Sequence, residues 1–107
     1  MIKVKVNRVI DGDTLDVSIS SLKIRMDFID APECKGSERE EGLKTKQWLK
    51  DRVEGKVVGI EPKNFDMYFR LVATVFDELG NINGEMIKKE LVEIYDPSLH
   101  NNGVFDK

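Results

Sequence analysis

A single cysteine and a single histidine among 107 residues deprive the chain of the soft ligands and the Ser/His or Cys/His pairs that many sites are built on. Cys34 can close no internal disulfide and has no second thiolate with which to assemble a zinc site, which points to a reducing compartment. His100 stands in a polar, loop-like stretch at 96–103, where a surface role suits it better than a catalytic one, because it has no orienting partner. No apolar run approaches the ~18 residues of a membrane span, and the opening MIKVKV lacks the long apolar stretch of a signal peptide. The chain is therefore expected to be cytoplasmic, with no membrane partner. Cationic excess is also missing: 20 acidic residues face 17 Lys and Arg, for a formal charge of −3. That argues against a protein that coats nucleic acid through Lys and Arg alone. It leaves room for carboxylates that hold a cation, since the metal restores positive charge locally.

What is present fits a globular chain, with 40% hydrophobic and 35% charged residues. Residues 1–107 read as one domain, with 97–107 a loose C-terminal tail. Ile2, Val4 and Val6 alternate with basic residues and continue through Val9 and Ile10 to an Asp11-Gly12 turn, predicting a first strand. Leu15, Val17 and Ile19 predict a second, closed by Ser20-Ser21. The third, at 22–28, places Leu22, Ile24, Met26 and Phe28 on the core face and Arg25 on the other, and Pro32 ends the run. The charged stretch 34–42 reads as a mobile connector. A helix is predicted over 43–53, with Trp48 as a core anchor beside Leu49 and Val53, and Gly55 placed to end it in the left-handed conformation. Strands at 56–61 and 68–76 follow, then a turn at Leu79-Gly80-Asn81 and a short helix capped by Asn83, with Ile87, Leu91 and Ile94 or Tyr95 on one side. Three strands, a helix, two strands and a helix predict a β-rich α+β fold: a five-stranded OB-type Greek-key barrel with two helices. That architecture serves binders and enzymes alike.

Three segments carry groups that phosphodiester hydrolysis requires: IDGDT at 10–14, RMDFIDAPE at 25–33 and DMYFR at 66–70. A phosphodiester repels nucleophiles, so its cleavage calls for a cation, a water activator and donors for the charge that builds at phosphorus. Taken alone, Asp11-Gly12-Asp13 is an ordinary Asp-Gly turn, and each arginine is a strand-face residue open to pairing with an acid. In this order, with Arg25 five residues before Asp30, the segments resemble the thermonuclease, or staphylococcal nuclease-like, family over about residues 6–95.

The resemblance implies that Asp13 and Asp30, with the backbone carbonyl of Ala31, are the ligands of a divalent cation, normally Ca2+, and that Asp11 supports them. Hard oxygen ligands in flexible geometry suit calcium. It further implies that Glu33 is the general base for the attacking water and that Arg25 and Arg70 grip the phosphate. Guanidinium can donate two parallel bonds there, which a lysine cannot reproduce. Tyr68 lies near the nucleotide's phosphate in this pattern. Tyr95 is a weaker candidate for stacking on a base, with core packing as the plainer reading. The implied activity is calcium-dependent hydrolysis of DNA and RNA with little sequence preference, on single strands above all, by a monomer. The alternative is a catalytically weak or inactive OB-fold module of the same family that binds nucleic acid or protein. Four features depart from the pattern. Phe69 stands where glycine is common, which would tilt Arg70 or narrow the cleft. Met67 replaces a common lysine. Glu90 occupies a glycine position, implying either a left-handed residue or a longer helix, and the additional C-terminal helix of longer members is not expected within residues 96–107.

Overall fold

The computed structural model describes residues 2–18 and 22–95. Ile19, Ser20, Ser21, the 97–107 tail and His100 lie outside them. Eight strands and two helices follow in chain order: β1 (Ile2–Asp11), β2 (Thr14–Val17), β3 (Leu22–Met26), β4 (Ile29–Asp30), α1 (Arg39–Val53), β5 (Val57–Phe65), β6 (Leu71–Asp77), β7 (Gly80–Asn81), α2 (Ile82–Lys88) and β8 (Glu93–Ile94), with a 3-10 turn at Gly36–Glu38 before α1.

The main sheet runs β3-β2-β1-β5-β6-β7, and β3 also pairs with β6, so five strands close into a barrel. The closing pair is parallel, with Ile24, Arg25 and Met26 opposite Leu71, Val72 and Ala73, whereas the other ladders are antiparallel. This is the OB-type barrel with two helices that the element order predicts. Alternation supplies the core: Val4, Val6, Leu15, Val17, Ile24, Met26, Val58, Ile60, Ala73 and Val75 point inward and are buried. A register shift on β1 between Val6 and Arg8 allows Val6 and Val9 both to face inward despite their odd spacing, and a second follows between Val9 and Asp11. The helix α1 buries Gly42, Thr45, Leu49 and Val53, a stripe at spacings of three and four, and no helix among the described residues is long and apolar enough to cross a membrane.

Several boundaries differ from the periodicity. α1 begins at Arg39, four residues before the predicted start, and with the 3-10 turn at Gly36–Glu38 most of the expected connector is helical. Trp48 is half-buried at the rim, with Arg52 Cζ 5.4 Å from its ring, and Leu49 takes the core position. β5 passes through Pro62 to Phe65 because a register shift between Pro62 and Asn64 accommodates the missing N–H. β3 stops at Met26; Phe28 turns outward with φ 66° and its N–H on the Asp27 carboxylate. β6 begins only at Leu71, since the Asp66 side chain draws in the N–H groups of Tyr68 and Arg70 and makes 66–70 a turn. α2 is capped by Asn81, whose side chain accepts from Gly84 N, and ends at Lys88. Asn83 lies inside it, buried, while Ile94 joins β8 and pairs with Ile29. Gly55 is left-handed as expected (φ 78°), and so is Glu90 (φ 58°), which closes α2 with Leu91 N on Met86 O at 3.0 Å.

Candidate functional site

Barrel closure brings the three motif segments together. Thr14 pairs with Arg25 across β2 and β3, and Met26 N donates to Asp13 O at 2.8 Å, so the turn between β1 and β2 lies beside Arg25. The parallel β3–β6 pairing sets Arg25 opposite Val72, two residues after Arg70. The result is a cleft of about 460 Å³ whose walls include Asp11 and Asp13 from the first segment; Arg25, Asp30 at the end of β4, and Ala31 and Glu33 just after it from the second; and Arg70 from the third. All the predicted cation ligands, the predicted base and both arginines share this cleft. Tyr68 and Tyr95 instead line a neighbouring groove of about 500 Å³, which also includes Arg25 and Arg70.

Asp13 is the joint of the cleft. Its Oδ2 accepts the Ala31 N–H at 2.9 Å and lies 3.6 Å from Arg25 Nη1, while its Oδ1 accepts from the Thr14 hydroxyl at 3.1 Å. One carboxylate thus ties the β1–β2 turn to the end of β4 at Asp30 and to the loop that carries Ala31 and Glu33. The same Arg25 nitrogen, Nη1, also donates to Met26 O at 2.7 Å. Arg70 is oriented by Asp66, whose Oδ2 accepts from Nε at 2.8 Å and lies 2.8 Å from Nη2 as an ion pair. Burial acts to raise the Asp66 pKa, but the N–H groups of Arg70 and Tyr68 and the Arg70 guanidinium outweigh it and hold the carboxyl below its ordinary value. Asp11, Asp30 and Glu33 are exposed to solvent on the cleft. Cys34 also lines the cleft; burial, and then Asp11 beside it, push its thiol pKa up, which keeps it protonated.

Among the described residues no three His, Cys, Asp or Glu side chains are grouped to hold one metal ion. The donors that face the cleft still fit a hard cation: two carboxylates, Asp13 and Asp30, with a backbone carbonyl between Asp30 and Pro32, leave coordination positions to water and substrate oxygen. Phe69 does not narrow this cleft. Its ring is 85% exposed, its φ is 62°, and Asp66 holds the Arg70 beside it in place.

Gly12, Gly42, Thr45 and Asn83, for which the sequence implied no role in the site, support it from behind. A Cβ on Gly42 of α1 would stand 2.1 Å from Glu33 O, and one on Gly12 would stand 2.6 Å from Thr45 Cγ2 and 2.9 Å from Ala31 Cβ. The helix can therefore press against both loops only where side chains are absent. Thr45 also donates to Leu91 O at 2.8 Å. Asn83 spans the barrel end, accepting from Val75 N at 3.0 Å and donating to Asp27 O at 2.8 Å, which fixes the turn that leads into β4. Gly42 did carry a signal, as a glycine within a run of helix formers. Asn83 offered none beyond its cap-like chemistry.

A family described as staphylococcal nuclease homologue matches residues 23–103. The chain belongs to this family. Asp11 and Asp13 precede the matched residues; the Asp13 bonds to Met26 N and Ala31 N join their turn to the same site. Among curated proteins the chain is similar to an "Uncharacterized endonuclease" of Haemophilus influenzae, 36% identical over 99 residues that cover 90% of this chain and 54% of that protein. An "Uncharacterized endonuclease" of Escherichia coli is 34% identical over 95 residues, 86% of this chain and 60% of the other. A "Micrococcal nuclease" of Shigella flexneri is 30% identical over 102 residues, 85% and 57%. The chain thus spans a little over half the length of these relatives.

Proposed function

We propose that this protein hydrolyses phosphodiester bonds of DNA and RNA with little sequence preference, using Ca2+, and that it acts as a monomer on single strands in preference to duplex. The observation that carries the reading is the convergence of Asp13, Asp30, Glu33, Arg25 and Arg70 on one cleft from three separate segments. Membership of a nuclease family and the endonuclease names of its relatives support it. A binding module has no physical need for exposed carboxylates facing a polyanion.

In this reading Asp13, Asp30 and the Ala31 carbonyl hold the cation, which when bound supplies Lewis-acid polarisation of a phosphoryl oxygen. Arg25 and Arg70 donate to the non-bridging oxygens and meet the negative charge that grows there in the five-coordinate transition state. Their pairing with Asp13 and Asp66 sets guanidinium orientation before substrate arrives, so little ordering remains to be done on binding. Glu33 accepts a proton from the attacking water as the new O–P bond forms and the bond to the leaving oxygen breaks.

The test is cleavage of a quenched fluorescent single-stranded DNA by the purified protein with calcium or with chelator, alongside Glu33→Gln and Arg25→Ala. Calcium-dependent cutting that falls at least 100-fold in both variants is expected, since base and phosphate donors each contribute on the order of 10²–10³. A folded protein that cuts nothing in any divalent metal would leave the binding module as the function.

A further inference from the structure

The turn between β5 and β6 presents apolar side chains to solvent at a density found nowhere else among the described residues. Phe65, Met67, Tyr68 and Phe69 are 61%, 81%, 69% and 85% exposed. The one acid of the turn, Asp66, is folded inward: its carboxylate takes the N–H groups of Tyr68 and Arg70 and the Arg70 guanidinium, while its backbone N–H donates to Arg70 O at 2.8 Å. The polar groups of the turn are spent on holding its shape, and the rings face outward.

Stability does not account for this arrangement. Phe69 adopts φ 62°, a conformation that disfavours a residue with a Cβ, yet its ring gains no burial in return. Glycine would relieve the strain. Phe28 repeats the pattern at φ 66° with its ring half exposed, in the groove beside the turn, with Lys63 Nζ 5.3 Å from the ring centroid. That groove shares Arg25 and Arg70 with the cleft, so an occupant would be continuous with whatever sits at the candidate site.

We propose that the 65–69 turn, with Phe28 across the groove, is a stacking edge that grips unpaired nucleobases next to the phosphate being cut. The proposal rests on the hydrolase reading for its substrate class. Aromatic and thioether faces set beside the cations Lys63, Arg25 and Arg70 match a strand whose bases and phosphates alternate. Duplex bases are stacked on each other and present no free face, so the edge favours single strands. In a chain of charge −3, with Met67 in the turn, it also moves part of the affinity from phosphate contacts to stacking, which releases no counterions.

The test is binding of a fluorescein-labelled oligo-dT by the whole chain in chelator, over a range of salt, for wild type, Phe69→Gly and the pair Phe65→Ala/Met67→Ala. Phe69→Gly removes a strained residue and is expected to melt at or above the wild-type temperature, so lost folding cannot explain lost binding. Each variant should weaken oligo-dT by roughly tenfold, with the slope of log affinity against log salt unchanged and duplex binding little affected. Cleavage of bis(p-nitrophenyl) phosphate, which has no base, should match wild type in both variants. Wild-type affinity in the variants overturns the proposal. So does a concentration-dependent dimer that the same substitutions dissolve, since the turn would then be covered by a second copy. If nothing is cut yet oligo-dT binds and Phe69→Gly releases it, the hydrolase reading fails and the stacking edge stands.

Discussion

Replacing Gly42 by alanine puts a carbon 2.1 Å from Glu33 O and 2.8 Å from Cys34 N. Real Cβ atoms stay beyond about 3 Å from such atoms, so α1 and the Glu33–Cys34 backbone must part by close to 1 Å. Two energies compete. Alanine gains ~1 kcal/mol of helix propensity over glycine, while forcing packed segments apart costs ~1–3 kcal/mol, so the net loss of stability is expected to be no more than ~2 kcal/mol. The effect on chemistry is larger, because a displacement of about 1 Å of a group acting on the attacking water costs on the order of 100-fold in rate. Gly42→Ala should therefore remain folded and lose about 100-fold in kcat on single-stranded DNA, with KM changed only a few fold. Gly84→Ala is the control: its Cβ meets Asn81 Cγ at 3.6 Å, an ordinary contact, and activity should be unchanged. Thermal melts confirm the folded state, and steady-state kinetics below the melting range separate kcat from KM. A folded Gly42→Ala with kcat within twofold of wild type would refute the claim that this close approach positions Glu33.

Four further outcomes are expected. Gly12→Ala, whose Cβ would lie 2.6 Å from Thr45 Cγ2, should lower both stability and activity. Adding Thr45→Ser should restore much of each, because serine drops the methyl group and keeps the hydroxyl that bonds Leu91 O. Glu90→Gly, at φ 58°, should raise stability by roughly 0.5–1 kcal/mol in urea melts, and a loss instead would show that the left-handed turn carries no strain. Asn83→Leu removes partners from the buried Val75 N–H and Asp27 carbonyl and should cost about 2–4 kcal/mol; a cost under about 1 kcal/mol would mean that the barrel end re-pairs without it. The Asp77 carboxyl is held below its ordinary value first by the Arg52 hydrogen bond, against the opposing effect of burial. Its folded pKa lies below the unfolded value near 3.8, so its stabilisation is complete above that pH and is lost as pH falls through the folded value. Urea melts taken from about pH 5 to about pH 2 should show this decline, and Asp77→Asn should flatten it.

Most strands were legible because one face of each is buried in the barrel. Ile2, Val4 and Val6, then Leu15 and Val17, then Leu22, Ile24 and Met26 read correctly at period two. Errors gathered where a side chain competes with the backbone or where charge hides a helix. Asp66 draws in N–H groups that a ladder would use and delays β6 to Leu71. Asp27 does the same for Phe28, which left the core face it was assigned. The start of α1 was hidden because residues 39–42 are acidic, basic and glycine, with no apolar stripe until Thr45 and Leu49. The bulge at Pro62 was illegible because it depends on what lies opposite, which is Ala73 of β6.

The amino-acid sequence by itself determined which chemistry is possible. With one Cys and one His it restricts acid and base work to carboxylates, and the order of IDGDT, the Arg25 to Glu33 run and DMYFR names the groups and the family pattern. Only the tertiary structure decided that these groups meet. Their convergence depends on the parallel closure of β3 on β6 and on the Asp13 bond to Ala31 N, contacts between residues distant in the chain that no local pattern encodes. It decided as well that Gly12 and Gly42 are spacers against α1 and that the rings of Phe28 and Phe69 face water. Close approach and exposure are properties of the packed surface, set by what the rest of the chain brings to each residue.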